Sequence, residues 1–193
     1  MKARYSKSLR GAAAMLASVS VLISCQSAPT RIFTLYPIAP ASAPSPYAGP
    51  PIRVETVHVP PALDRIEVVG NVAPGELKIS DLDHWSAPLG QVARQALSAD
   101  MVSRLPQGRV IFPHLAKPED ALGLSVDVLD FKADQRGASL EASWVITSTD
   151  PKSRSARGTA VLRTDMPSAG AAATAQALSA LLAQLADRIV ADL

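Results

Sequence analysis

The apolar and polar positions change rhythm several times along the chain, and each change predicts an element. RIFTLYP, Arg31 to Pro37, alternates Ile32, Thr34 and Tyr36 with Phe33 and Leu35, the period of a short strand. In IRVETVHVP, alternation puts Ile52, Val54, Thr56 and His58 on one face and Arg53, Glu55, Val57 and Val59 on the other. Pro60 and Pro61 stop it, because neither offers a ladder N–H. RIEVVG, Arg65 to Gly70, and ELKIS, Glu76 to Ser80, read as two short strands about a turn at Pro74 and Gly75. From Ser86 the period becomes helical: Leu89, Val92, Ala93, Ala96, Leu97, Met101 and Leu105 form one stripe. Ser86 is the expected N-cap, Pro88 fits the first turn, and Pro106 with Gly108 ends the helix.

Beyond a short strand RVIF, Arg109 to Phe112, the segment ALGLSVDVLDFKAD places Leu122, Leu124, Val126 and Val128 on one side. Phe131 is out of phase with them, which predicts a bulge near Leu129 and Asp130. A turn at Arg136 and Gly137 returns the chain as SLEASWVI, with Leu140, Ala142, Trp144 and Ile146 on one face, making a hairpin. The polar turn TDPKSRS leads to a third strand, ARGTAVLRTDM. A last helix runs from Ala171 to Leu193 behind a Ser168 cap, with Ala171, Ala175, Leu178, Leu182, Leu185 and Ile189 in a stripe widened by Leu181. Gln184, Asp187, Arg188 and Asp192 interrupt its apolar surface, so it should pack on a sheet face and not cross a membrane. The expected fold class is α/β of the α+β kind: a mostly antiparallel sheet packed by two main helices in a single domain.

Two segments stand outside this pattern. MKARYSKSLR is basic, and Gly11 to Ile23 is apolar for 13 residues, short of the ~20 that a spanning helix needs. That is the form of a removable leader, residues 1–24. The second segment is Pro37 to Pro51, with six prolines in 15 residues, too poor in N–H donors to join a sheet. It reads as a connection between strands or as a docking strip for a partner.

Removing the leader changes the charge. The 193-residue chain carries net +2, but Lys2, Arg4, Lys7 and Arg10 all precede residue 25, and from there on 15 basic face 17 acidic side chains. The basic groups that remain are scattered among acids, so the footprint of nucleic-acid binding is missing. Aliphatic residues are plentiful and aromatics only 4%, which suits a packed domain.

Candidate chemistry is sparse. There is no GxSxG elbow, SxxK pair, phosphate-cradling glycine loop or histidine pair at ligand spacing. His58, His84 and His114 fall in a strand, a loop and a loop, and Asp81 with Asp83 reads as a polar approach to the first helix. No catalytic residue, metal ligand or bound cofactor is expected. Asp64 and Arg65, in PALDRIEVV, sit between two predicted strands, where loops often carry function, although a turn with a solvated ion pair explains them as well. Trp85 just before the helix is either a core side chain or a partner anchor.

The single cysteine, Cys25, follows Leu22, Ile23 and Ser24 where the apolar run ends. This resembles the bacterial lipobox; the alternatives are a thiol in a membrane helix and an ordinary secretory leader ending near a cysteine. The resemblance implies that Cys25 becomes the mature N-terminus and carries covalent lipid, three acyl chains in all. With no second cysteine, an internal disulfide is impossible. Gln26, where an Asp would retain such a protein at the inner membrane, implies onward sorting to the outer membrane, facing the periplasm. Residues 25–30 would be the lipidated tether and 31–193 the domain.

Taken in order, Cys25, FTL, VPPALDRIEVV, ELKISDLDHWSAPL, VDVLDF, LEASWVI and the long last helix resemble the ABC-type transport auxiliary lipoprotein family, which includes the lipoprotein of the paraquat-inducible intermembrane transport system. The resemblance implies a compact α/β domain working beside a mammalian-cell-entry (MCE) domain protein and an ABC transporter that moves lipid between the two membranes. It also implies partner-contact roles for Leu63, Asp64, Arg65 and Trp85. Three positions depart from the family pattern: Ala62 where an aromatic is favoured, Gly70 where a basic residue is common and Ala87 where an acid often follows the Trp. The expected function is non-enzymatic docking in lipid transport. The rivals are a carrier that encloses phospholipid, an activator of envelope assembly enzymes, and a hydrolase.

Overall fold

The computed structural model describes residues 28–41, 43–73, 75–134, 137–148, 155–166 and 168–193. The leader, Cys25, Pro74, Arg136 and most of the TDPKSRS turn lie outside the described residues.

Among the described residues, eight strands and two helices follow one another as β1 (Arg31–Phe33), β2 (Ile52–His58), β3 (Glu67–Ala73), β4 (Glu76–Trp85), α1 (Leu89–Arg104), β5 (Val110–Ile111), β6 (Leu122–Asp134), β7 (Gly137–Thr147), β8 (Ala156–Thr164) and α2 (Ala171–Ala191). They make two sheets where one was expected. The larger has the order β5-β2-β6-β7-β8, parallel at β5/β2/β6 and antiparallel from β6 to β8; the smaller has the order β1-β4-β3. The fold is mixed α+β.

The core lies between one face of the five-stranded sheet and the two helices. Ile52, Val54, Leu124, Val126, Leu140, Ala142 and Ile146 point inward, and Val92, Ala96, Leu97 and Met101 of α1 and Leu178, Leu181, Leu182, Leu185 and Ile189 of α2 cover them. Helix α1 packs on β2, α2 packs on β7 and β8, and the helices pack on each other. Each large aliphatic side chain buried in this way contributes about 1.5–3 kcal/mol. Because α1 covers a second flank of α2, the buried surface of α2 extends beyond the expected stripe to Ala173, Ala177, Ser179 and Ala186. Trp144 lies inward across β8, where a Cβ on Gly158 would overlap the indole.

The bulge expected near Leu129 and Asp130 is present between Val128 and Asp130, and it restores Phe131 to the buried face. A second bulge, between Val54 and Thr56 of β2, was not legible. It corrects the face assignment: Val57 is buried, while Thr56 is half-buried and His58 exposed. Strand β4 runs on to Trp85, so Asp81, Asp83 and His84 belong to a strand and not to a loop before the helix. Neither helix is capped as expected. Helix α1 begins at Leu89 with Pro88 in the N-cap position and no side-chain cap, while the Ser86 amide donates to Phe33 O. Helix α2 begins after Gly170, whose φ of 106° is accessible to glycine at little cost, with Thr174 Oγ1 donating to Gly170 O.

Candidate functional site

The four residues that the sequence singles out for partner contact gather at one junction, where β3 and β4 meet the start of α1. Leu63 and Trp85 are buried in the core there. Asp64 is exposed, and its Oδ1 accepts from the Gly90 amide at 2.9 Å. A helix start has N–H groups with no intrahelical partner, so Asp64 supplies from 26 residues away the acceptor that Ser86 does not. Its negative charge also meets the positive end of the helix dipole. The contact requires glycine: a Cβ on Gly90 would sit 2.8 Å from Val57 O and 3.3 Å from Asp64 Oδ1.

Arg65 turns the other way along the chain. Its Nε donates to Glu67 Oε2 at 2.8 Å, and this bond holds the Glu67 carboxylate below its usual pKa. Trp85 closes the junction, its amide donating to Ile66 O. The Leu-Asp-Arg run therefore works as an architectural joint: one side chain in the core, one on a helix, one on a neighbouring strand residue. Of the three positions that depart from the family pattern, Ala62 is exposed and a Cβ on Gly70 would meet nothing, while Ala87 packs partly against the core.

A second polar cluster escaped the sequence reading. Asp100 of α1 has no exposed surface and Arg104, one turn on, is 4% exposed. Asp100 Oδ1 accepts from the Ile38 amide at 2.8 Å, and Arg104 Nη1 donates to Ile38 O at 3.0 Å and to Asp100 O at 3.0 Å. Arg104 Nε reaches across to Asp187 Oδ1 of α2 at 2.6 Å. The Ser45 amide donates to Arg104 O, and the Tyr36 amide donates to the buried Ser179 Oγ. The proline-rich segment is thus fastened to α1 through Ile38 and Ser45, while Tyr36 just ahead of it is held by α2. Since prolines cannot supply ladder donors, its few free amides carry the attachment. Burial pushes the Asp100 carboxyl up to about 6 against the opposing pull of the Ile38 N–H and the Arg104 charge, and its Oδ2 is buried without a hydrogen bond. The available signal was an acid and a base four residues apart, bracketing Met101 in an otherwise apolar stripe.

Beside α1 is a half-open cleft of about 360 Å³, lined by Arg94, Gln95, Ser98, Phe112, Pro113 and His114. The rings of Phe112 and His114 stack with centroids 6.0 Å apart, and Arg94 Nη1 donates to Glu55 O at 3.1 Å. The three histidines lie on β2, on β4 and after β5. Among the described residues no group of three or more His, Cys, Asp or Glu could hold a metal ion. Nor is any helix among them long and apolar enough to cross a membrane.

Comparison with known proteins follows the same lines. Two crystal structures share the fold. One, of an uncharacterized protein, is 20% identical, covers 84% of this chain and 97% of its own, and has a TM-score of 0.68. The other, of a DUF330 protein from Xanthomonas campestris, is 18% identical, covers 83% and 92% respectively, and has a TM-score of 0.63. No match was found among curated proteins. A family model described as the ABC-type transport auxiliary lipoprotein component matches residues 33–190, nearly every element above, and the chain therefore belongs to that family.

Proposed function

We propose that the protein is an outer-membrane lipoprotein facing the periplasm, attached through lipid on Cys25, and that it serves without catalysis as the docking component of an MCE-type, ABC-driven system moving lipid between membranes. The observation that carries this reading is the placement of Cys25, eight residues ahead of a family match that spans the rest of the fold. A tether of residues 25–30 reaches at most ~20 Å, so the domain would stay close to the bilayer that holds its lipid. Three acyl chains exceed the two signals needed for stable attachment.

The non-enzymatic reading draws on how the polar side chains are used. Asp64 caps a helix, Arg65 pairs with Glu67, and Asp100 and Arg104 lie beneath the proline-rich segment. None of them is paired with a nucleophile in an open cleft, which is the arrangement acid–base or covalent catalysis requires.

The test is crosslinking in living cells followed by capture of the full-length lipoprotein. Recovery of an MCE-domain protein is the expected result. Recovery of cell-wall synthases alone would transfer the protein to envelope assembly, and phospholipid retained by the delipidated domain in native mass spectrometry would favour a carrier.

A further inference from the structure

The five-stranded sheet forks at one edge. Strand β5 pairs with β2 over Ile52 and Arg53 only, and the chain then departs at Phe112. Between the departing segment and α1 lies the cleft of about 360 Å³, with Arg94, Gln95 and Ser98 on one wall and Phe112, Pro113 and His114 on the other. That volume is at the small end of ligand sites, which run from roughly 300 to 1,000 Å³. It suits a compact group and not a pair of long acyl chains.

The charges around the cleft are unbalanced. Arg53 and Lys117 meet the Glu55 carboxylate, Arg65 meets Glu67, and Arg104 meets Asp100 and Asp187. Among the described residues, the half-buried Arg94 and Arg109 meet no carboxylate, and of the two it is Arg94 that lines the cleft. Its Nη1 donates to Glu55 O at 3.1 Å, and its Nε is buried without a hydrogen bond. Arg53, Arg94 and Lys117 are thus all fastened to Glu55, which supplies a single carboxylate. No acidic side chain lines the cleft. A guanidinium drawn partly out of water against a neutral carbonyl keeps an uncompensated charge, which costs free energy until an anion meets it.

We propose that this cleft binds a phosphate ester, with the phosphate oxygens on Arg94 and the organic group against Phe112. Gln95 and His114 are exposed at the rim and carry further N–H donors, while the Ser98 hydroxyl is engaged with Arg94 O. A carboxylate presents two oxygens and is satisfied by one guanidinium fork; a phosphate presents more, and three donor-bearing side chains match it better. Phe112 is 39% exposed and stacks on His114, which fixes an aromatic ring at the mouth. The site involves neither Cys25 nor its lipid, so it goes beyond the functional reading above and does not depend on it. A phospholipid headgroup and a soluble phosphate compound share this chemistry.

The experiment titrates the full chain, purified in a non-ionic detergent, with phenyl phosphate, glycerophosphoethanolamine, inorganic phosphate and benzoate, reading heats by calorimetry and amide shifts by NMR. Phenyl phosphate should bind saturably, shift the amides of Arg94, Gln95, Ser98, Phe112 and His114 most, and bind several-fold more tightly than benzoate. Gln95→Glu, at an exposed helix position, adds a negative charge to the cleft without touching the core; it should leave the circular dichroism unchanged and weaken phenyl phosphate about ten-fold or more. Arg94→Lys, which keeps the charge and loses the fork, should weaken it about ten-fold. Phe112→Ala should weaken phenyl phosphate about three-fold and leave inorganic phosphate unchanged. Glycerophosphoethanolamine binding more tightly than inorganic phosphate assigns the ligand to a lipid headgroup, equal binding assigns it to soluble phosphate compounds, and either supports the site. No saturable binding up to about 10 mM overturns the proposal. So do shifts that avoid the cleft, a titration that Gln95→Glu leaves unchanged, and benzoate binding as tightly as phenyl phosphate, which would assign the cleft to a carboxylate.

Discussion

The two sheets differ in how their faces are covered: the five-stranded sheet buries one face beneath two helices and leaves Leu129, Val145 and Val161 exposed, while the three-stranded sheet buries Val68, Val69 and Trp85. In the five-stranded sheet the inward face is closed by α1 and α2, and Leu124, Val126 and Leu140 are essentially inaccessible. In the three-stranded sheet Leu77, Ile79 and Leu82 face outward. Burial of the first group stabilises the fold, while exposure of the second contributes little to it.

The comparison can be broken at graded strengths. The largest effect is expected from Cys25→Ala, which should leave the domain folded by circular dichroism while abolishing both leader cleavage and membrane fractionation. A cleaved, membrane-bound variant would contradict it. Next, Leu181→Ala, at the contact of α2 with the core, should lower stability by about 2–5 kcal/mol in urea denaturation, because it leaves a cavity that the packed helices cannot close. Leu82→Ala in the small sheet should change it by about 0.5 kcal/mol or less. Similar losses at both positions would erase the distinction between the two sheets.

Between these extremes lie the polar fastenings. The Asp100 carboxyl has a folded pKa of about 6, above the 3.8 of a free side chain, so the native state binds the extra proton. Stability should therefore fall as pH rises from about 4 to about 6, by about 1–3 kcal/mol. Asp100→Asn keeps an oxygen for the Ile38 amide and should flatten that slope; parallel curves for the two proteins would refute the assignment. Asp64→Ala should cost about 1 kcal/mol, the usual worth of a helix cap, with amide exchange rising at Gly90 and in the first turn of α1. Unchanged exchange at Gly90 would show that the remote cap carries no weight.

Regular periodicity made much of this fold legible in the sequence. Both helices, the β6–β7 hairpin and the bulge at Leu129–Asp130 follow from it, since Phe131 could return to the core only by a phase slip. What stayed hidden depends on contacts between distant segments. Thr56 and His58 alternate correctly with Val54, yet pairing with β6 shifts the register and brings Val57 inward. Ser86 has the right chemistry and position for a cap, but its amide is taken by Phe33, and Asp64 arrives from another loop. The four partner-contact candidates, Leu63, Asp64, Arg65 and Trp85, came from the family resemblance with no spatial relation implied, and it is the structure that brings them to one joint. Exposure of Leu77, Ile79 and Leu82 could not be read at all, because alternation reports which residues share a face and not whether anything covers it.

The proposed attachment at Cys25 underlies the functional reading, and mass spectrometry of the N-terminal peptide from membrane-extracted protein tests it most directly. The account predicts a mature chain beginning at Cys25 with a mass increment of three acyl chains. A terminus elsewhere, or an unmodified Cys25, would contradict it.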